Sequence, residues 1–173
     1  MTTPAQMTTS IQPIIRLATT ADIDVLVQMR YDFTMEDYPE LQQQRRHSDT
    51  DTDIEDFHRT CSTFLESAIN GGEWFIWVAE ADGQLVSHMY LQLIHKVPRP
   101  GKCEDPYFGY VTNVYTRPAY RGRGIGTQIH HAMEQWAIAN NVEFLILWPS
   151  ETSVAFYERS GFRPSAEALE KHW

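Results

Sequence analysis

The sequence predicts an α+β protein, a three-layer α/β/α sandwich whose mixed, mostly antiparallel sheet carries helices on both faces. Runs of β-branched and aromatic residues alternate along the chain with apolar residues at helical spacing. The pair Asp82-Gly83 joins two apolar runs, and this is the strongest short signal for a β-hairpin. With 173 residues, the chain is long enough for one domain with a sizeable core.

The first elements are a tail and a short strand. Residues 1–12 are rich in threonine and lack an apolar core, so we expect a flexible tail and not a secretory signal. Residues 13–173 should form a single domain, because no linker or internal repeat interrupts them. A strand is predicted over 14–17, and Thr19 or Thr20 can cap the helix that follows.

Two helices come next. One is predicted over 21–36, where apolar residues recur at helical spacing. The other is predicted over 53–70 and ends at the Asn-Gly-Gly sequence that begins at Asn70. The polar connection over 37–52 is compatible with either a loop or an irregular helix.

The remaining elements complete the sheet. Hairpin strands are predicted over 74–80 and 85–95, and residues 96–106, with three prolines, form a loop. The later elements are a strand that includes 111–116, a helix after a glycine-rich loop, an apolar strand over 143–148, a short helix over 150–160, and a last strand over 166–173.

Composition argues against several classes of partner. A net charge of -9 disfavours nucleic acid, whose binding requires basic surfaces. No apolar run approaches the roughly 20 residues of a membrane span. Cys61 and Cys103 have no metal-ligand spacing and fit a reducing cytoplasm. His130 and His131 are adjacent on a predicted helix, so we interpret both as surface residues and expect no metal.

The segment over 111–127, V-T-N-V-Y-T-R-P-A-Y-R-G-R-G-I-G-T, predicts an anion-binding loop. A strand passes through a proline turn into three glycines at alternate positions, with arginines interleaved, and a helix follows. Glycines let backbone N–H groups turn toward a ligand, and a helix N-terminus adds partial positive charge. The loop residues are Arg121, Gly122, Arg123, Gly124, Ile125, Gly126 and Thr127.

Three alternative roles for this loop fit its residues less well. A nucleoside triphosphate loop requires Gly-Lys-Ser/Thr, and no lysine is present. A dinucleotide fold requires Gly-x-Gly-x-x-Gly after an early strand, whereas this motif is Gly-x-Gly-x-Gly after hairpin strands. A helix start that merely tolerates glycine leaves two arginines within the glycine run unexplained.

Residues 114–127 resemble the acetyl-CoA motif of the GNAT superfamily of N-acetyltransferases, usually Arg/Gln-x-x-Gly-x-Gly/Ala after a strand and a proline. A second family signature is present in A-F-Y-E-R-S-G-F over 155–162, about 30 residues downstream. The predicted order of elements also matches that family. The resemblance implies the three-layer sandwich, acetyl-CoA as co-substrate, no metal, and a homodimer, which is common in the family.

The resemblance assigns cofactor contacts. The strand edge at Val114, Tyr115 and Thr116 would pair with the pantetheine arm, and an amide N–H near Val114 would hold the thioester carbonyl. The loop Arg121–Thr127 would wrap the pyrophosphate, with one of its arginines as an added charge or a solvated surface residue. Ser150 stands where many relatives carry an asparagine that contacts the cofactor arm.

Tyr157 corresponds to the family's usual general acid, which protonates the departing CoA thiolate. The alternative is that Tyr157 is a core aromatic of a short helix. Ser153 also departs from the family, which often has alanine there. The general base that would take the amine proton remains unassigned. The polar residues on the central strand, Thr112 and Asn113, are not competent bases. Other polar candidates are Glu104, Asp105, Glu143, Glu151, His88 and His95, each of which we interpret as surface or structural; a neutral amine needs only a water chain.

Two functions of different class follow. The first is an N-acetyltransferase that acts on a primary amine of a small molecule or peptide by direct attack, with Tyr157 as general acid. Acidic and aromatic residues in and between the first two predicted helices would suit a cationic amine, although a solvated acidic face explains them equally well. They are Asp32, Glu36, Asp37, Tyr38, Glu40, Asp49, Asp51, Asp53 and Asp56. The second is a non-catalytic acyl-CoA-binding or regulatory module, for which the missing base and Ser150 leave room. Tyr157 favours the enzyme.

Overall fold

The computed structural model describes residues 12–38, 51–101, 107–165 and 169–171. The sheet in these residues consists of β1 Ile14–Leu17, β2 Trp74–Ala81, β3 Gln84–His95, β4 Tyr107–Thr116 and β5 Val142–Ile146, in that spatial order. The α-helices are α1 Ile23–Asp37, α2 Asp51–Gly71, α3 Ile125–Ala139 and α4 Val154–Arg159.

The sheet is mixed and mostly antiparallel, as predicted. The strands β1 to β4 pair antiparallel, whereas β5 runs parallel to β4. The hairpin between β2 and β3 turns at Asp82 and Gly83, whose φ angles are +53° and +74°. Two consecutive left-handed residues match the twist of the strands they connect, so the Asp-Gly signal is confirmed.

Helices cover both faces of the sheet, which confirms the three layers. Alternate residues of a strand point to opposite faces. On one face, α1 and α2 bury a cluster that includes Leu26, Leu65 and Ile76. On the other, α3 buries a cluster that includes Met89 and Ile129. The site described below lies where these layers meet at one end of β4.

The predicted capping threonine, Thr19, is the N-cap of a short turn before α1, whereas the N-cap of α1 itself is Asp22. A turn of 3-10 helix at Thr20–Asp22 precedes α1, and Asp22 accepts hydrogen bonds from the Thr19 backbone N–H at 2.8 Å and its hydroxyl at 3.1 Å. The Arg16 guanidinium donates to both oxygens of Asp22, and these bonds lower the pKa of that carboxyl to about 2. The first helix is therefore fixed to β1.

Some predictions differ from the structure or fall outside it. The strand predicted over 143–148 ends at Ile146. Residues 169–171 of the predicted last strand are not in a strand, and the other residues of that strand are outside the described ranges. The predicted tail, except residue 12, and most of the 37–52 connection also lie outside them.

The surface interpretation of His130 is wrong. This side chain is buried, and its ring lies edge-on to Phe156 and Phe162. The reason is that α4 and the residues after it cover this side of α3, which a helical pattern alone does not reveal. His131 is exposed, as expected.

Candidate active site

The strand β5 pairs with only the first part of β4. The last matched pair is Tyr110 with Ile146, where β5 ends, whereas β4 continues to Thr116. From Val111 onward, the edge of β4 that faces β5 has no strand partner in the described residues. Backbone N–H and C=O groups on such an edge can pair with an extended ligand.

In this same part of β4, the pairing with β3 on the other edge contains a β-bulge. The register with β3 passes from His88 opposite Tyr115 to Tyr90 opposite Thr112, so that Asn113 and Val114 share one position of β3. Asn113 has φ +46°, in the left-handed region that asparagine tolerates better than most residues. A bulge bends its strand and redirects the backbone groups at that position.

His88 holds the bulge from within the protein. Its Nδ1 lies 2.8 Å from the Asn113 carbonyl oxygen, and because a carbonyl only accepts, Nδ1 carries the proton. Burial lowers the pKa of His88 to about 4, so the ring is neutral at pH 7. His88 is fully buried and does not line the cleft, which assigns it a positioning role and not that of a base.

The Asn113 side chain joins the bulge to α1. Its Oδ1 accepts a hydrogen bond from Nη1 of Arg30 at 3.1 Å. The Arg30 guanidinium also lies over the Phe33 ring, 5.4 Å from its centroid. The first helix, the bulge and the unpaired edge of β4 thus form one wall of a cleft.

The glycine-rich loop forms the next part of the wall. Gly122 and Gly124 have φ angles of +73° and +76°, which favour glycine strongly over residues with a Cβ. Gly124 is the N-cap of α3, which begins at Ile125. The first N–H groups of a helix have no partner within the helix, so this end of α3 presents donors and partial positive charge to the cleft.

The two arginines of the loop have different surroundings. Arg121 forms an ion pair with Glu36 and donates from Nε to the Thr116 carbonyl at 2.8 Å. Glu36 also accepts a hydrogen bond from the Tyr115 hydroxyl at 2.7 Å. Arg123 lies over the Tyr120 ring, 5.4 Å from its centroid, and does not line the cleft. Arg121 therefore fastens the end of β4 to α1.

Tyr157 lies in the wall formed by α4. It is 7% exposed, and the rings of Phe156 and Phe162 pack against it. Burial raises the pKa of Tyr157 to about 12, so the phenol is protonated across the physiological range. Before α4, the Ser150 and Ser153 hydroxyls lie 3.1 Å apart in a turn that also faces the cleft.

These walls enclose a cavity of about 900 Å³. Every residue predicted to bind cofactor or act as acid lines it, with the exception of Arg123. Those residues are Val114, Tyr115, Thr116, Arg121, Gly122, Gly124, Ile125, Gly126, Thr127, Ser150 and Tyr157.

Two acidic residues of α1, Asp32 and Glu36, have cationic partners. Asp32 lies 3.5 Å from Nη1 of Arg117 and accepts a hydrogen bond from Gln28 at 2.8 Å. Glu36 pairs with Arg121. Both carboxylates line a second cavity of about 580 Å³ beside the first, but each already has a cationic partner. Asp32 and Glu36 therefore support a cationic amine acceptor less strongly than the sequence indicated.

Three residues of this region were missed or undervalued in the sequence. Arg30 falls on the apolar stripe of α1 beside Leu26 and Val27. A cation within an apolar stripe is a sequence signal for a functional residue. His88 is likewise a polar residue within a buried strand. The bulge at Asn113 leaves no clear local pattern, because it depends on how β4 pairs with β3.

The sequence profile of the acetyltransferase (GNAT) family matches residues 28–162. The chain belongs to this family. The match includes all of the cleft-lining residues named above, and it confirms the family resemblance of the glycine loop and the predicted fold.

Sequence identity to an individual relative is low. A glucosamine 6-phosphate N-acetyltransferase from Trypanosoma brucei brucei is 28% identical over 88 residues, which cover 51% of this chain and 57% of that protein. The match thus spans little more than half of this curated relative.

Solved structures share the fold along nearly the whole chain. A predicted acetyltransferase with acetyl-CoA from Clostridium acetobutylicum has a TM-score of 0.69 and 24% identity, covering 93% of this chain and 96% of that one. A GCN5-related N-acetyltransferase from Ralstonia eutropha JMP134 has a TM-score of 0.69 and 21% identity, covering 93% and 99%. These likenesses concern the GNAT fold.

Membrane spans and metal clusters are absent from the described residues. No described helix combines the length and apolar character needed to cross a lipid bilayer. Within the same residues, no three or more His, Cys, Asp or Glu side chains come together as metal ligands.

The burial of His88 predicts acid sensitivity. Because its pKa in the folded protein is below the unfolded value near 6.5, the unfolded chain binds the extra proton, and stability falls as pH decreases from about 6.5 to 4. Over this interval we expect His88 to contribute a loss of about 3 kcal/mol. Denaturant titrations at several pH values should show a shallower loss for His88→Gln. The exposed control His131→Gln should keep the wild-type slope; equal slopes for wild type and His88→Gln would contradict the assignment.

The left-handed Gly124 predicts a specific loss of CoA binding. In Gly124→Val, a β-branched residue must adopt φ near +76° or reshape the loop, so the donors of α3 no longer converge on one ligand. We expect at least a tenfold weaker CoA affinity by calorimetry, with the fold retained. Gly72→Val is the matched control, because Gly72 has φ +77° and does not line the cleft. Unchanged affinity in Gly124→Val would refute the role of the loop.

Proposed function

We propose that this GNAT protein transfers an acetyl group from acetyl-CoA to a primary amine of a small molecule or peptide by direct attack. One observation carries the proposal: a single cavity contains the unpaired edge of β4, the glycine loop at the start of α3, and the buried phenol of Tyr157. These are a site for an extended amide-bearing arm, a site for an anion, and a proton donor.

The chemistry of the cavity fits acetyl-CoA, which supplies the acetyl thioester. The backbone of Val114, Tyr115 and Thr116 would hold the pantetheine arm, whose amides need donors and acceptors along an extended path. The loop from Gly122 to Thr127 would hold the pyrophosphate through backbone N–H groups. The acetyltransferase from Clostridium acetobutylicum, solved with acetyl-CoA, supports this choice of co-substrate.

Tyr157 would donate a proton to the sulfur that leaves when the amine attacks. A phenol with a pKa of about 12 keeps its proton until it is needed. Burial disfavours an anion on sulfur as well as on oxygen, so a thiolate beside the same apolar wall becomes a stronger base than in water. Because burial raises both pKa values, the difference between them stays near that in water, where a phenol at about 10 and a thiol at about 8.5 differ by about 1.5 units.

The amine would attack in its neutral form and release its proton to water. Among the described residues that line the cavity, the carboxylates are Glu36 and Asp37, and Glu36 already pairs with Arg121. Neither carboxylate is required if the amine is neutral at the moment of attack. The glucosamine 6-phosphate N-acetyltransferase from Trypanosoma brucei brucei supports a small-molecule acceptor over a peptide.

The alternative is an acyl-CoA-binding module without catalysis. It would need the β4 edge and the glycine loop, but it would not need a protonated tyrosine in the wall of the same cavity. The burial and position of Tyr157 therefore favour the enzyme.

We expect the substitution Tyr157→Phe to reduce turnover and to leave cofactor binding intact. Removing only the hydroxyl should lower kcat about 100-fold or more, the usual contribution of a general acid. The affinity for CoA should change little, since the ring remains in place. Thiol release from acetyl-CoA with a panel of primary amines measures kcat, and calorimetry measures affinity.

Tyr107→Phe is the control for this experiment, because it removes a tyrosine hydroxyl from β4 outside the cavity and should leave kcat unchanged. A wild-type protein that binds CoA but turns over none of the amines would support the binding module. If Tyr157→Phe keeps the wild-type kcat, Tyr157 is not the general acid, although the protein is still an acetyltransferase.

A further inference from the structure

We infer that the acceptor amine also carries an anionic oxygen group, a carboxylate or a phosphate, and that Arg30 binds this group. The inference rests on the proposed acetyl transfer and names the acceptor class for the same cavity. It makes Arg30 a specificity-determining residue.

Arg30 lies at the bulge. It belongs to α1, lines the 900 Å³ cavity, and donates a hydrogen bond to the side chain of Asn113. The backbone of Asn113 continues directly into Val114, the position proposed to hold the reacting thioester. A group bound by Arg30 would therefore lie beside the place where the amine must attack.

The surroundings of Arg30 differ from those of neighbouring arginines. Arg117 pairs with Asp32, and Arg121 pairs with Glu36. In the described parts of the chain, the contacts of the Arg30 guanidinium are with neutral groups, the amide of Asn113 and the ring of Phe33. Arg159 also lines the cavity without a carboxylate partner in those parts, but it is exposed on α4, on the wall of Tyr157.

This arrangement suits recognition of an oxyanion. A partly buried cation is costly unless an anion compensates it. A guanidinium presents several N–H donors in a planar fork, of which one Nη donor is used by Asn113, and the fork matches the oxygens of carboxylate or phosphate. The ring of Phe33 packs against this guanidinium. Since the whole chain carries a net charge of -9, a local cation is what would let an anionic acceptor enter.

The test compares acceptors of similar length that differ in charge. The panel is O-phosphoethanolamine and β-alanine, which carry an anion, with ethanolamine and 1,3-diaminopropane, which do not. For the wild type we expect kcat/KM to be about 10- to 100-fold higher for the anionic amines, the range of a charge-assisted hydrogen bond. Arg30→Gln should abolish this preference, and Arg30→Lys should restore part of it. Arg59→Gln is the control, because it removes an exposed arginine on α2.

A binding measurement separates this inference from the proposed function. O-phosphoethanolamine is titrated by calorimetry into protein saturated with CoA, for the wild type and for Arg30→Gln. Binding that is lost in Arg30→Gln supports the anion site even if no amine is acetylated, in which case only the proposed function fails. Turnover without any preference for anionic amines, or equal binding in the two proteins, overturns the inference and leaves the acetyltransferase. Absence of binding to the wild type also overturns it.

Discussion

The separation of β4 from β5 after the Tyr110–Ile146 pair is the constraint on which the site depends. Strands in a sheet satisfy each other's backbone groups, so a strand that loses its neighbour must find other partners. Here the unpaired edge faces a cavity that also receives the start of α3 and the phenol of Tyr157. One break in the sheet brings together a backbone edge, a helix N-terminus and a protonated phenol.

Contacts from the sheet, from α1 and from the glycine loop hold the part of β4 that extends beyond β5. His88 fixes the bulge from within the sheet, and Arg30 fixes its side chain from α1. At the far end of β4, Arg121 bridges Glu36 and the Thr116 carbonyl. The first helix therefore contacts β4 at the bulge, through Arg30, and near its end, through Glu36.

Local sequence was sufficient for the parts of this design that depend on neighbours in the chain. The Asp82-Gly83 turn and the glycines before α3 each require a particular backbone conformation, and each was predicted correctly in type. The bulge at Asn113, the burial of His130 and the pairing of Glu36 with Arg121 arise from residues distant in sequence. The periodicity of apolar residues carries no information about such contacts. The glycine loop of the cleft could therefore be predicted from the sequence, whereas the ion pairs around the cleft could not.

Amide hydrogen exchange over residues 111–116, with and without acetyl-CoA, tests the central claim most directly. Exchange is fast where a backbone N–H lacks a stable partner. If the unpaired edge of β4 holds the ligand, saturating acetyl-CoA should slow exchange there by about tenfold or more, while the amides of β1 and β2 keep their rates. Acetyl-CoA that binds, as shown by calorimetry, but leaves the exchange of residues 111–116 unchanged would contradict the account.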